Sequence, residues 1–158
     1  MPRQLYIREA SRLTGEFVFT HHDLMTNRRK FGCIGMAGYH IDIREARGVS
    51  VRTFYFPKAE DQVCMDGYFG RSVEPRDIPY RALLPHFSEY ENLLVPGCAG
   101  AFTAVFASFR MEPRYVISGH TAGVAAALAG RKDTSGHPVP IPELQRLLRE
   151  DGQVLDLR

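Results

Sequence analysis

The sequence has few cysteines and almost no excess of charge of either sign. Its three cysteines, Cys33, Cys64 and Cys98, lie far apart and form no C-x-x-C pair, which argues against a disulfide framework and a zinc site. Twenty Lys and Arg against eighteen Asp and Glu give a net charge of +2, too even for a protein that binds a phosphate backbone. We therefore expect no metal, no nucleic-acid partner and a reducing, cytoplasmic location.

A long hydrophobic run is also missing. The N-terminal residues are charged, and no signal peptide is visible. The uncharged stretch 93–109 contains a proline and glycines and is at the short limit for spanning a bilayer. We interpret it as a buried strand over 93–95, a turn over 96–100 and the start of another element, and we expect no membrane segment.

The common enzyme motifs are absent. The sequence has no G-x-S-x-G, no H-E-x-x-H, no G-x-x-x-x-G-K-[ST] and no G-x-G-x-x-G. Gly32, Gly35 and Gly38 do not fit the dinucleotide pattern, and they predict a flexible loop at the edge of a strand. The adjacent His21 and His22 would point to opposite faces of a strand, so we predict a surface turn there rather than a metal site.

The composition changes near residue 91. Most of the ten Phe and seven Tyr lie before it, whereas Gly, Ala, Ser and Thr dominate residues 97–130. The first part therefore predicts a β-rich layer built around large rings, and the second predicts tightly packed backbone. Alternating and β-branched residues predict strands, and clusters of turn residues predict loops over 24–38 and 57–79. The predicted strands cover residues 5–8, 17–20, 39–44 and 49–56.

Two helices are predicted in the second part, over 113–129 and 142–150. One face of the first helix carries almost no side chain, because its residues there are Gly119, Ala122, Gly123 and Ala126. Two interpretations are open: close packing against a strand, or a ligand lying against the helix start. There, free N–H groups favour negative charge and Arg110 adds a positive one.

Two further groups of residues leave alternatives open. His40, Asp42 and Arg44 share one face of the predicted strand 39–44, where they either bind a polar substrate or form a solvated face. Cys98 is either a reactive thiol in a glycine-rich turn or a small buried residue.

Several ordered segments of the chain resemble a known family. They are QLYIREASRLTGEFVFTHHDL, IGMAGYHIDIREARGVSV, IPYRALLP, ENLLVPGCAGA, FASFRMEP, GHTAGVAAALA and LQRLLREDGQVL. This order resembles the C-terminal part of bacterial FAD-dependent oxidoreductases of the xanthan-lyase-like group. The resemblance covers nearly the whole chain.

The resemblance implies an α+β fold with three segments. Residues 1–90 would be the remnant of a β-rich substrate domain. Residues 91–132 would be the C-terminal strand–turn–helix part of a two-part FAD-binding domain of the glutathione-reductase type. Residues 133–158 would be a C-terminal loop and helix.

The resemblance also implies hydride transfer between a small polar substrate and FAD. By it we expect His40 and Arg81 to be catalytic and Asp42 and Tyr80 to bind substrate, with Arg110 and the helix start stabilising charge on the reduced ring. The residues expected to bind the cofactor are Gly97, Cys98, Ala99, Gly100, Arg110, Met111, Thr121 and Gly123.

Two departures from the family pattern change these expectations. The dinucleotide motif is missing, so we expect this chain alone not to retain FAD and to need an N-terminal dinucleotide-binding half, or self-association. The family turn Ala-Ser-His is replaced by Ala101, Phe102 and Thr103, which leaves a possible proton-transfer role vacant, while His120 is kept. The alternative is a non-catalytic fragment, or a β-rich binding or assembly module that needs the missing half.

Overall fold

The computed structural model describes residues 11–26, 28–44, 49–52, 62–65, 68–132 and 139–157. The predicted strand over 5–8 lies outside these residues, as does the end of the one predicted over 49–56.

Six short strands pair as three two-stranded antiparallel sheets, β1 with β6, β2 with β5 and β3 with β4. The pairing is nested, because the last strand returns to the first and the two middle strands pair with each other. The predicted strands over 39–44 and 49–56 are thereby confirmed in their described parts. The strands are β1 Cys33–Ala37, β2 Ile41–Arg44, β3 Val49–Arg52, β4 Gln62–Met65, β5 Tyr68–Arg71 and β6 Arg76–Pro79.

Four α-helices and a 3-10 turn occupy the other described segments. The two long helices match the prediction, and each has a proline in its first turn, where the missing N–H costs nothing. The helices are α1 His21–Thr26, α2 Thr103–Phe106, α3 Glu112–Arg131 and α4 Ile141–Glu150, with the 3-10 turn at Tyr80–Leu83.

The first helix corrects the prediction of a surface turn at His21. The backbone N–H and the hydroxyl of Thr20 donate to the Asp23 carboxylate at 2.9 and 2.8 Å, and the Asp23 N–H lies 3.4 Å from the Thr20 hydroxyl. This reciprocal cap starts a helix. Within the described residues, no group of three or more His, Cys, Asp or Glu side chains could hold a metal ion.

One hydrophobic core joins the three predicted segments. Its fully buried side chains come from the early chain, the central strands and all the later elements. The largest apolar ones include Phe19, Ile34, Ile41, Ile78, Tyr80, Leu83, Phe109, Leu144 and Leu148.

Beside this core, β1 contacts α3. Gly35 of β1 faces the Ile117 side chain of α3 so closely that a β-carbon at Gly35 would lie 2.6 Å from Ile117 Cγ2. Of the three glycines that indicated a loop, Gly35 therefore belongs to a buried strand and lets a helix approach, whereas Gly32 and Gly38 lie just outside it.

Two predicted loops and two predicted strands are wrong. Residues 24–38 contain α1 and β1, and residues 57–79 contain β4, β5 and β6 instead of loops. Residues 93–95 form no strand. The predicted strand over 17–20 is reduced to an isolated bridge between Phe19 and Ala101.

The α+β class is confirmed. In the ranges described, no helix has both the length and the apolar composition needed to cross a bilayer.

Candidate functional site

A pocket of about 300 Å³ opens at the start of α3. Its lining comes from the end of β1, the following turn and the segment that leads into the helix. The lining residues are Met36, Ala37, Gly38, Tyr39, Ser108, Phe109, Met111, Pro113 and Arg114. None of these described side chains is a carboxylate, so the charge at the pocket wall is positive.

The first turn of α3 forms one side of the pocket. Within the described part, Met111 precedes the helix without a side-chain cap, and Pro113 follows in the first turn. Pro113 has no N–H and the Arg114 N–H donates to the Met111 carbonyl oxygen at 3.0 Å, so the helix start offers a ligand mainly positive partial charge. Met111, expected to contact the cofactor, lines the pocket.

Arg114 ties the helix start to the turn 96–100. Its guanidinium donates to the carbonyl oxygens of Phe109 at 2.8 Å, Pro96 at 2.5 Å and Gly97 at 3.1 Å. It also lies over the rings of Phe109 and Tyr115, at 4.5 and 4.0 Å from their centroids. Burial lowers the pKa of Arg114 to about 10, so the guanidinium remains charged at neutral pH.

Arg110 contacts Asp42. We expected Arg110 on the cofactor side of the site and Asp42 on the substrate side. The Arg110 guanidinium lies 3.3 Å from both the carboxylate and the backbone carbonyl of Asp42. Both side chains are mostly buried, at 11% and 12% exposure. The structure thus joins β2 to the segment before α3 through an ion pair.

His40 lies beside the pocket. Its half-buried ring stacks on the ring of Tyr39, a lining residue, with the centroids 4.1 Å apart. Among the expected catalytic residues, His40 is therefore the one next to the pocket.

The turn 97–100 contains two different glycines. A β-carbon at Gly97 would meet no described atom within 4 Å, whereas one at Gly100 would lie 2.5 Å from the Phe17 carbonyl oxygen. Gly100 therefore allows the chain to approach itself closely. Cys98 is exposed, and Ala99 is fully buried.

The later part of α3 has one buried and one open face. Thr121 is buried and accepts a hydrogen bond from the Gln153 amide at 3.0 Å. Gly123 lies on the open face, where a β-carbon at Gly119 or Gly123 would meet no described atom within 4 Å. Val116 on the same face is 70% exposed.

Two of the expected site residues lie away from the pocket lining. Arg81 is exposed, and its guanidinium donates to the Glu16 carbonyl oxygen at 2.8 Å. Tyr80 is 1% exposed within the core, where burial raises the pKa of its hydroxyl. Their assigned roles stay predictions.

Comparison with known proteins identifies the family. A family model described as FAD dependent oxidoreductase matches residues 1–148. The chain belongs to this family. No curated protein and no solved structure matches the chain. The narrower resemblance to bacterial, xanthan-lyase-like members of the FAD-dependent oxidoreductases stays a prediction, as does the two-part arrangement of the FAD domain.

The pocket residues of this FAD-dependent oxidoreductase suit a flavin. Tyr39 and Phe109 offer aromatic walls, and Arg114 and the helix start offer positive charge near the carbonyl oxygens of a ring. Behind Ser108, the buried Arg76 keeps Nε and Nη1 without a hydrogen-bond partner in the described structure. An orphaned buried donor of this kind indicates that a polar group is still to be accommodated.

Sequence reasoning missed Arg76, Ser108 and Arg114. A signal existed for Arg114, because it lies one helical turn after Arg110 and directly after Pro113 at a predicted helix start. Arg76 had none, since it lay in a segment predicted to be a loop.

Proposed function

We propose that this chain provides the flavin-facing and substrate-facing part of an oxidoreductase that transfers hydride between a small polar substrate and FAD. The observation that carries the proposal is the positively charged, aromatic-walled pocket at the uncapped start of α3. Bound FAD supplies the hydride acceptor or donor. The chain's own residues bind, orient and stabilise charge.

Each part of the pocket has a role in this proposal. Met111 and the first turn of α3 would lie against the flavin and hold it by apolar contact and positive partial charge, and Arg114 keeps the turn 96–100 in place beside them. Arg110 contributes a positive charge that Asp42 positions. His40 holds or moves the substrate proton, since it lies next to the lining residue Tyr39.

The partner in this proposal is an N-terminal dinucleotide-binding half that packs on the open face of α3. The face runs from Tyr115 to Gly130, and its exposed residues between these are Val116, Gly119, Gly123, Ala126 and Ala127. It carries no charged side chain over four turns, which is unusual for a helix face that stays in water. Glycine and alanine there let another backbone approach closely.

The test first searches the adjacent DNA for an upstream segment that encodes G-x-G-x-x-G. This segment is then produced together with the present chain. Co-purified protein is expected to be yellow and to contain about one FAD per complex, whereas this chain alone is expected to be colourless. Tight stoichiometric FAD in this chain alone would contradict the need for a partner.

A pair of leucine variants localises the contact. Gly123→Leu adds bulk to the open face of α3 and is expected to lower co-purification and flavin content. Arg146→Leu adds the same side chain to the exposed side of α4 and is expected to change neither. If both halves associate but hold no flavin, the chain is the binding or assembly module of the alternative hypothesis.

A further inference from the structure

We propose that a second cavity, between α3 and the C-terminal segment 151–157, binds a small aliphatic amine in its ammonium form, with Asp151 holding the charge. The ligand is a free primary amine with a short hydrocarbon chain. The inference does not depend on the proposed function, because the α3 residues of this second cavity begin at Val116, after the turn that lines the first pocket.

The walls of the second cavity are mostly aliphatic. It has a volume of about 500 Å³, and three exposed hydrophobic side chains line it, Val116 at 70%, Val154 at 54% and Leu157 at 61% exposure. Exposed apolar side chains that gather around one opening indicate a binding surface. None of the described lining residues is aromatic, so the walls suit a hydrocarbon chain better than a flat ring. The lining residues are Met36, Val116, Ile117, His120, Asp151, Gly152, Gln153, Val154 and Leu157.

The polar end of the second cavity is oriented by Gln153. Its amide nitrogen donates to the carbonyl oxygen of Ile34 and, at 3.0 Å, to the hydroxyl of Thr121. A carbonyl oxygen can only accept, so the amide oxygen of Gln153 is the atom that faces Nδ1 of His120, at 2.7 Å. Nδ1 therefore carries a hydrogen, and Nε2 is the ring nitrogen of His120 that gains or loses a proton.

Nε2 of His120 faces a carboxylate. It lies 3.1 Å from Oδ2 of Asp151, whose side chain is 54% exposed. When His120 carries its second proton, the imidazolium donates to this carboxylate. When His120 is neutral, two acceptors face each other with no hydrogen between them. A ligand ammonium supplies hydrogens to both acceptors and a positive charge to Asp151.

The charge around Asp151 favours a cation. Asp151 ends α4, where the negative partial charge of the helix end makes a carboxylate unfavourable on its own. Arg149, the basic residue of the last turn, lines a different cavity. Among the described lining residues, His120 and Asp151 are the titratable ones, and the neighbouring Glu150 pairs with Arg146. A neutral His120 therefore leaves the second cavity with one net negative charge.

The first experiment titrates this chain with four probes and follows the NMR signals of His120 and Leu157. Hexylammonium and hexanol share one chain, hexanoate carries the opposite charge, and methylammonium lacks the chain. At about pH 8, where imidazole is neutral, hexylammonium is expected to bind about fivefold more tightly than hexanol, as for one partly exposed ion pair. Hexanoate and methylammonium are expected to bind more weakly than hexanol.

Lowering the pH tests the part played by His120. At about pH 5.5 imidazole is protonated, so the imidazolium competes with the ligand for Asp151, and the preference for hexylammonium over hexanol is expected to disappear. Hexylammonium itself stays charged at both pH values, because an alkyl ammonium, like that of Lys, loses its proton only well above this range. His120→Gln, which cannot titrate, is expected to keep the preference at both pH values.

Two pairs of variants locate the site. Asp151→Asn is expected to remove the preference and to leave hexanol binding unchanged. Glu150→Gln removes the adjacent carboxylate, which lies outside the cavity lining, and is expected to keep the preference. Leu157→Ser is expected to weaken hexylammonium and hexanol equally, whereas Leu93→Ser, at another exposed leucine, is expected to change neither.

The outcomes that would overturn the amine site are specific. Equal binding of hexylammonium and hexanol by the wild type at about pH 8 would refute it, and so would a preference that survives Asp151→Asn. An equal loss in Glu150→Gln and Asp151→Asn would show attraction to the general surface charge instead. No flavin enters the experiment, so its result is independent of whether the proposed function holds.

Discussion

At the residue scale, the ion pair between Arg110 and Asp42 carries the most information about the site. The resemblance implied that Arg110 lies on the cofactor side and Asp42 on the substrate side of a reaction. In the structure, the Arg110 guanidinium lies near both the carboxylate and the carbonyl oxygen of Asp42. Part of the Arg110 charge is therefore used within the chain, and the residue connects β2 to the start of α3.

Removing Arg110 is expected to destabilise the fold. Arg110→Ala takes the guanidinium away from a carboxylate that is only 12% exposed, so we expect a loss of about 1–3 kcal/mol in the free energy of unfolding. Arg81→Ala is the matched control, since its ion pair with Glu16 has a similar length but Arg81 is 54% exposed. Denaturant unfolding of both variants makes the comparison, and equal losses would show that burial of the pair has no effect.

The buried phenol of Tyr80 predicts alkaline destabilisation. Burial raises its pKa above the usual 10.0, so above that pH the unfolded chain releases the proton while the folded chain keeps it. Stability present below pH 10.0 is therefore lost as the pH rises. Tyr80→Phe is expected to lose less stability between neutral pH and about pH 11, measured by urea unfolding. Tyr90→Phe, at an exposed tyrosine, is expected to follow the wild type.

At the element scale, sequence and structure agree best for the helices. Proline at the start of α3 and α4 and glycine near their ends gave their positions within two residues, because these signals are local. The strand β1 could not be predicted, since its one glycine, Gly35, serves a contact with Ile117, more than eighty positions later in the chain. The return strands β5 and β6 were missed because they pair across intervening strands, with β2 and β1, rather than with the preceding segment.

On the open face of α3, the same glycine substitutions are expected to raise the stability of this chain and to weaken its association with the partner half. Gly119→Ala and Gly123→Ala meet no described atom, so each is expected to stabilise this chain by up to about 1 kcal/mol through helix propensity. Thermal melting measures the gain, with Gly97→Ala as a control at an open glycine outside a helix. In the co-expression experiment, the same variants are expected to weaken association with the partner half. If the variants raised both the melting temperature and the association with the partner half, close backbone packing on this face would be contradicted.

At the scale of the whole molecule, the core does not follow the segment boundaries that the composition indicated. Buried residues from before residue 91, from α3 and from α4 belong to one cluster. The change from aromatic to small residues is real, but residues before and after it contribute to the same core. Composition reports what a segment is made of, whereas the partner of each segment depends on tertiary contacts that no local pattern contains.

A core substitution in the last helix tests whether these segments unfold together as one cooperative unit. Leu148 is fully buried, and Leu148→Ala is expected to lower the free energy of unfolding by about 2–5 kcal/mol. Near-ultraviolet circular dichroism reports the aromatic rings and far-ultraviolet circular dichroism reports the helices. Both are expected to shift together, as in a single cooperative transition. Leu157→Ala, at 61% exposure, is expected to have little effect, and separated transitions would indicate independent segments.

The contact between Gly35 and Ile117 gives sequence variation an indirect way to adjust the pocket. Ile117 lies only one turn from Pro113 and Arg114, so a displacement of the helix at Ile117 also moves the end of α3 that lines the pocket. A single methyl group at residue 35 would push against Ile117 and shift the helix start by a fraction of an ångström. Homologous enzymes could therefore acquire different substrate preferences through a residue that no substrate ever touches.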